Sequence, residues 1–163
     1  MIDELMDIVN ENDEVIGQAT RSECYAKKYS HRIVHVLVFD NQGKVALQLS
    51  CPSKSFLPGY WGTSAGGHVQ SGENNHQAAK RELREELGIE SDLELMGKDI
   101  YKDERGFTKI VSSFKTTYTG TFILDPAEGS KIEYFSIEEI KKLTKTQTNI
   151  YPELLFLLKK YYL

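Results

Sequence analysis

The apolar positions of this chain change period along its length, and each change marks an element. Residues 4 to 9 and 14 to 18 read as two short strands about the polar turn NEND, and SECYAKK at 22 to 28 reads as a short helix. The segment HRIVHVLVFDNQGKVALQLS follows, with a β-branched run, a turn carried by Asn41, Gln42 and Gly43, and then Val45, Leu47 and Leu49 in alternation. That pattern predicts a hairpin whose first strand is buried on both faces. A loop punctuated by Pro and Gly, CPSKSFLPGYWG, leads into a short strand, TSAGGHV. Further on, DLELMGKDIYKD and TKIVSSFKTTYTGTFI predict an antiparallel pair turning at Glu104, Arg105 and Gly106, and KIEYF predicts one more strand. Two helices close the chain, one with Ile137, Ile140 and Leu143 at helical spacing and one with Ile150, Leu154, Leu155 and Leu158. The order of sheet, central helix, sheet and terminal helices predicts an α+β or α/β sandwich.

The central helix carries the candidate chemistry. Asn74 with Gln77 three positions on is a capping-box variant, and Gly88 lies where a helix ends, so a helix is predicted near 75 to 87. At about 100° per residue with Glu82 at zero, Glu86 falls near ~40° and Glu85 near about −60°, whereas Ala79, Leu83 and Leu87 span roughly 60° to 140°. One edge is therefore apolar and the adjoining edge acidic. Ala78 falls inside the acidic stripe, where its small side chain is expected to leave open space above the carboxylates. Arg81 can pair with Glu85 or reach back to Glu73 and hold the preceding loop.

Most acidic helix stretches are solvated faces, and like charges at this spacing repel by a few tenths of a kcal/mol per pair. Here, however, the acids gather beside an apolar edge after a loop in which Gly66, Gly67 and Gly72 permit close backbone approach. Hard divalent cations take carboxylate, carbonyl and water oxygens, so three helical carboxylates and a glycine carbonyl suit such an ion.

Composition narrows the classes. The 163 residues suffice for one ordinary domain, with 40% hydrophobic and 27% charged residues and a formal charge of −4. Lys and Arg are scattered rather than gathered into a stripe, which does not point to a nucleic-acid partner. Cys24 and Cys51 make no disulfide framework, the N-terminus is acidic where a signal peptide is basic, and the run IVHVLVF is too short to span a bilayer. A soluble protein of a reducing cytoplasm is expected. The apolar face of the C-terminal helix can serve a homodimer as well as the core.

Written out, residues 67 to 89, GHVQSGENNHQAAKRELREELGI, are G, five residues, E, seven residues, REL, one residue, EE, one residue, GI. This is similar to the signature box of the Nudix hydrolases, enzymes that cleave nucleoside diphosphates linked to another moiety. The resemblance implies a single domain over 1 to 163 with the Nudix fold: a mixed central sheet, the box as loop, helix and loop, and C-terminal helices in an α/β/α sandwich. It implies that Glu82, Glu85 and Glu86, with the Gly66 carbonyl, hold Mg²⁺ or Mn²⁺, and that Glu82 is a candidate base for the attacking water. Arg81 joins them at a box position. Gly67, His68 and Glu128 are the positions expected to meet substrate, with Glu133 as the second choice for a late acid. The partner implied is a small nucleoside diphosphate derivative.

Upstream, DEVIG, SHRIVHVLVFD and PGYWGTSAGGHV resemble the isopentenyl diphosphate isomerase branch of the same superfamily. That branch has a catalytic cysteine where this chain has Gly66, and two later glutamates where this chain has TKIVSSFKTTYT. Two of its histidine positions fall at His31 and His68, and a third falls near Cys24. The resemblance is therefore to the isomerase-like subgroup of hydrolases, with isomerase activity or a non-catalytic nucleotide-binding module as the alternatives. A histidine on or near an apolar strand is more often a core or rim residue than a ligand, which applies to His31, His35 and His68, with His68 the best exception because it adjoins the glycines. Tyr60 and Trp61 can stack on a ring or pack the loop.

Overall fold

A computed structural model describes residues 3–163. Its described residues form β1 (Leu5–Val9), β2 (Val15–Thr20), α1 (Arg21–Lys27), β3 (His31–Phe39), β4 (Val45–Ser50), β5 (Trp61–Gly62), β6 (Ala65–His68), α2 (Asn75–Leu87), β7 (Glu94–Lys102), β8 (Thr108–Thr117), β9 (Gly129–Phe135), α3 (Ile137–Thr146) and α4 (Pro152–Tyr161). The expected elements all form, except that Ile150, read with the last helix, precedes α4 and bridges to Trp61. β8 ends earlier than the pattern TKIVSSFKTTYTGTFI suggested, because the chain beyond Thr117 leaves the sheet and returns to α2, where the amides of Ile123 and Asp125 donate to Leu87 O and Glu86 O.

The strands join in one mixed sheet organised around β3. One edge of β3 runs parallel to β8 from His31↔Lys109 to Phe39↔Thr117. The other edge is shared, by β1 at its start, by β6 through His35↔Gly66 and Val34↔Gly67, and by β4 at its end. The predicted β3–β4 hairpin exists, but only Val38↔Ala46 and Phe39↔Val45 pair before the strands part. β4 then continues between β9 and β5. This splaying opens the middle of β3 to the glycine strand β6.

Both faces of β3 are covered, as its continuous apolar run predicts. Val34, Val36 and Val38 pack with Ala79, Leu83 and Leu87 of α2. Leu37 packs on the opposite face with Leu47, Trp61, Ile140, Leu154 and Leu158, beneath α3 and α4. The architecture is thus the expected α/β/α sandwich. Leu154, Leu157 and Leu158 are fully buried within the chain, so the apolar face of α4 serves the core. Trp61 likewise belongs to the core, edge-on to Phe135 at 5.1 Å between centroids.

Candidate active site

α2 begins and ends where its sequence says it should. Asn74 accepts from the Gln77 amide and Gln77 Oε1 accepts from the Asn74 amide, completing the capping box. Gly88 closes the helix at φ +65°, a left-handed conformation that glycine adopts without strain. These two ends fix the rotation of the acidic edge.

That edge lies against β6. Glu82 and Glu86 are each 8% exposed, whereas the Glu85 side chain is 57% exposed and stands at the rim. Sequence spacing alone treated the three acids alike; packing separates them. Ala78 is also corrected: it is fully buried in the core with Val34 and Leu83, so it supports the helix and opens no space for a ligand.

Glu86 is held by two donors. Its Oε1 accepts from the Gly66 amide at 3.1 Å and its Oε2 from Gln48 Nε2 at 2.8 Å. Neither donor is cationic, and burial together with the nearby Glu82 pushes its pKa up to about 8. Glu82 is also raised by burial, to about 7, although Arg81 Nη1 donates to its Oε1 at 2.7 Å.

The two glycines of β6 are required by this closeness. A Cβ at Gly67 would fall on the Glu82 carboxylate. A Cβ at Gly66 would come within 2.7 Å of both Val34 O and His35 Nδ1. A cysteine at Gly66 therefore has no room without a shift of the β3 backbone.

Arg81 performs the holding role its spacing suggested. It donates through Nε and Nη2 to both oxygens of Glu73 at 2.7 and 3.0 Å, through Nη2 to His68 O at 2.9 Å, and through Nη1 to Glu82 and Glu85. Its hydrogen bonds to Glu73, outweighing burial, hold its pKa above the usual value for arginine. The glycine loop, strand β6 and α2 are thereby tied through one guanidinium.

These carboxylates open onto a cleft of ≈ 320 Å³. The expected residues Gly66, Gly67, His68, Glu82, Glu85, Glu86 and Glu128 all line it. Glu133 is not among the lining residues; it pairs with Lys131 on β9. Glu128 reaches the cleft because its loop is tied to α2, and it pairs with Lys54 at 2.6 Å across the opening. Gln48, Lys54, Lys109, Asp125 and Glu153 line the cleft without having been foreseen. Only Asp125 carried a signal, since it shares the DPAEG tract with Glu128.

The histidines divide as well. His31 is fully buried, and its Nδ1 contacts Tyr29 O. His35 Nδ1 contacts Thr63 Oγ1, and burial lowers its pKa to about 4, as it does for His31. His68 Nε2 lies 2.9 Å from Tyr25 Oη, and burial with His31 beside it holds its pKa well below the usual histidine value. At neutral pH the cleft thus presents neutral imidazoles beside its carboxylates.

Among the described residues no group of three or more His, Cys, Asp or Glu side chains is drawn together as a ready metal cage. Arg81 donates to Glu82 and Gln48 to Glu86. The donor chemistry nevertheless fits a hard divalent cation. Two buried carboxylates, both raised chiefly by burial, are oxygen donors that such an ion would bring back to the ionised form.

A capped helix thus sets a buried acid pair against a glycine strand in the lining of a cleft. The NUDIX domain family model matches residues 29–154, and the chain belongs to the Nudix hydrolases. The Nudix hydrolase YfcD of Escherichia coli is 36% identical over 137 residues, covering 84% of this chain and 76% of that protein. A Nudix hydrolase of Listeria monocytogenes is 34% identical over 139 residues, covering 84% of this chain and 82% of the relative. The crystal structure of DR0079 from Deinococcus radiodurans superposes with a TM-score of 0.86 at 27% identity, over 98% of this chain and 100% of that one. Among the described residues no helix is long and apolar enough to cross a membrane.

Proposed function

We propose that the cleft hydrolyses a diphosphate linkage in a nucleoside diphosphate joined to another moiety, by water attack at phosphorus assisted by Mg²⁺ or Mn²⁺. The observation that carries this reading is the pair Glu82 and Glu86, buried beside Gly66 and Gly67 with pKa values raised chiefly by burial. Glu82, Glu86, Glu85 and the Gly66 carbonyl are the groups that would hold the ion. When bound, it supplies charge neutralisation at the diphosphate oxygens and a more acidic water.

The chain's own residues do the rest. Glu82, with its pKa near neutrality, is suited to take the proton of the attacking water. Gln48 and the Gly66 amide hold Glu86 in one orientation, and Arg81 fixes Glu82 relative to the glycine loop. Gly67, lacking a side chain, lets the Glu82 carboxylate lie against the glycine strand. Glu128 and Lys54 face each other at the opening and can meet the substrate from the far side.

The unpaired thiols of Cys24 and Cys51 accord with the cytoplasmic setting we assign. The test is release of phosphate or nucleotide from a panel of nucleoside diphosphates and nucleotide sugars. Turnover should require Mg²⁺ or Mn²⁺, stop with EDTA and fall at least a hundredfold in Glu86→Gln; metal-independent turnover or a fully active variant would overturn the reading.

A further inference from the structure

Part of the cleft is lined by Glu4, Arg21, His35, His68, Lys109 and Glu153, and its charges are already balanced. Lys109 Nζ donates to Glu153 Oε1 at 2.8 Å with both side chains buried, and Arg21 Nη1 stands 3.7 Å from Glu4 Oε2. An anion or a cation entering there meets no spare countercharge. What this lining lacks is donors for two of its own acceptors.

The first acceptor is His35 Nε2. Thr63 Oγ1 donates its one hydrogen to Ala65 O at 3.1 Å, so toward His35 Nδ1, 2.9 Å away, it can only accept. Nδ1 therefore carries the proton of the neutral ring, and Nε2 is left with a bare lone pair. That nitrogen is buried and has no hydrogen-bond partner among the described residues. The second acceptor is Glu4 Oε2, also buried and without a partner there. It stops 3.7 Å from Arg21 Nη1 and 3.8 Å from His68 Nδ1, too far for a hydrogen bond to either, whereas Oε1 accepts from Gln70 Nε2 at 3.3 Å. The other buried side-chain atoms without a partner among the described residues, His31 Nε2 and Ser113 Oγ, belong to residues that do not line the cleft. A buried acceptor calls for a donor, and both of those in the cleft lack one.

We propose that His35 and Glu4 are specificity-determining residues that accept hydrogen bonds from uncharged donors, hydroxyl or amino groups, on the moiety joined to the diphosphate. The inference rests on the hydrolase reading for the diphosphate itself. His35 pairs across the sheet with Gly66, and Glu4 approaches His68, so both acceptors adjoin β6, whose Gly66 carbonyl belongs to the proposed ion site. A hydrocarbon moiety leaves both acceptors unpaired, and a carboxylate there also faces Glu4 and Glu153. A site that reads donors through buried acceptors rejects the analogue that lacks them, because its own groups then stay unpaired.

The test uses the full chain in EDTA with ¹⁵N-labelled histidine, so that neither metal nor turnover enters. Methyl β-D-ribofuranoside supplies hydroxyl donors, cytosine supplies an amino donor, and tetrahydrofuran, which has no donor, is the control. Free His35 should show an unprotonated Nε2, and one or both donor probes should move its resonance saturably toward the hydrogen-bonded range while tetrahydrofuran leaves it in place. His35→Phe, followed by the backbone amides of β6, and Glu4→Ala, followed also at Nε2, should each weaken probe binding about fivefold, the loss expected for one hydrogen bond. Should His35→Phe fail to fold, Glu4→Ala, at a partly exposed side chain, and the Nε2 resonance of the unaltered chain decide the matter. A response to the riboside alone assigns hydroxyl groups, one to cytosine alone assigns an amino group, and either supports the proposal. A free His35 protonated at Nε2, no saturable shift with either donor, an equal shift with tetrahydrofuran, or binding unchanged by the substitutions would overturn it. Such a failure leaves the hydrolase reading intact, and an inactive substrate panel leaves this titration readable.

Discussion

Gln48 Nε2 donates to Glu86 Oε2 at 2.8 Å and to Ser64 O at 3.0 Å, so a strand glutamine fixes a buried carboxylate of the cleft. Nothing in the alternation VALQLS distinguishes Gln48 from a residue turned to solvent, yet it is 6% exposed. Gly129 reinforces the contact, because a Cβ there would collide with the Gln48 side chain. Removing the donor as Gln48→Leu leaves one carboxylate oxygen unpaired, and a hydrogen bond to a charged group contributes about 1.5–3 kcal/mol. Titration calorimetry with Mn²⁺ should therefore show binding weakened roughly tenfold to a hundredfold.

Arg81 lowers the proton affinity of Glu82, partly offsetting the effect of burial. In Arg81→Gln that influence is gone, so the pKa of Glu82 rises and the acid limb of the kcat/KM profile should move to higher pH. The same variant breaks the two bonds to Glu73 and the bond to His68 O, and loss of one partner of a largely buried ion pair costs about 3–5 kcal/mol. A substantial fall in Tm by calorimetry should accompany the shifted profile. An unshifted acid limb in a folded variant would show that Glu82 is not the titrating base.

Burial gives the metal-free chain a defined pH dependence. Glu82 and Glu86 have folded pKa values of about 7 and about 8, above the ordinary 4.5, so the stability they contribute is fully present below that value and is lost as pH rises through the folded values. His31 and His35 act oppositely: with folded values of about 4 against 6.5, they cost stability as pH falls below 6.5. The carboxylates alone act above that point, and Tm in EDTA should decline between about pH 6.5 and 8.5. Saturating Mg²⁺ should abolish the decline, and its binding should release protons near pH 7.

Gly67 tests close approach without disturbing the sheet. In Gly67→Ala the new methyl meets the end of the Glu82 side chain, which can swing away, whereas at Gly66 it meets Val34 O in the backbone. Gly67→Ala should therefore lose at least tenfold in metal affinity with little change in Tm, and Gly66→Ala should lose stability instead. Parallel melting curves and Mn²⁺ titrations separate the two.

The parts of this account that could be read from sequence are the local ones. The boundaries of α2 followed from Asn74, Gln77 and Gly88 because caps are satisfied within a turn of the helix they close. The box residues followed from the resemblance of residues 67 to 89 to the Nudix signature. Burial of Glu82 against exposure of Glu85 did not, because a helical wheel gives angles and not the position of β6. The parallel pairing of β3 with β8 joins His31 to Lys109, a separation no short pattern records, and it is this pairing that brings Lys109 into the cleft. Ala78 was misplaced for the same reason: the sheet lies closer to that edge of α2 than the wheel allows.

The most direct test of the central claim is the fate of the water. Substrate hydrolysed in H₂¹⁸O with Mg²⁺ should yield, by mass spectrometry, one ¹⁸O in a phosphate-bearing product, with none formed in EDTA or by Glu86→Gln. A product of unchanged mass carrying no label, or labelled product that forms equally well without metal, would contradict it.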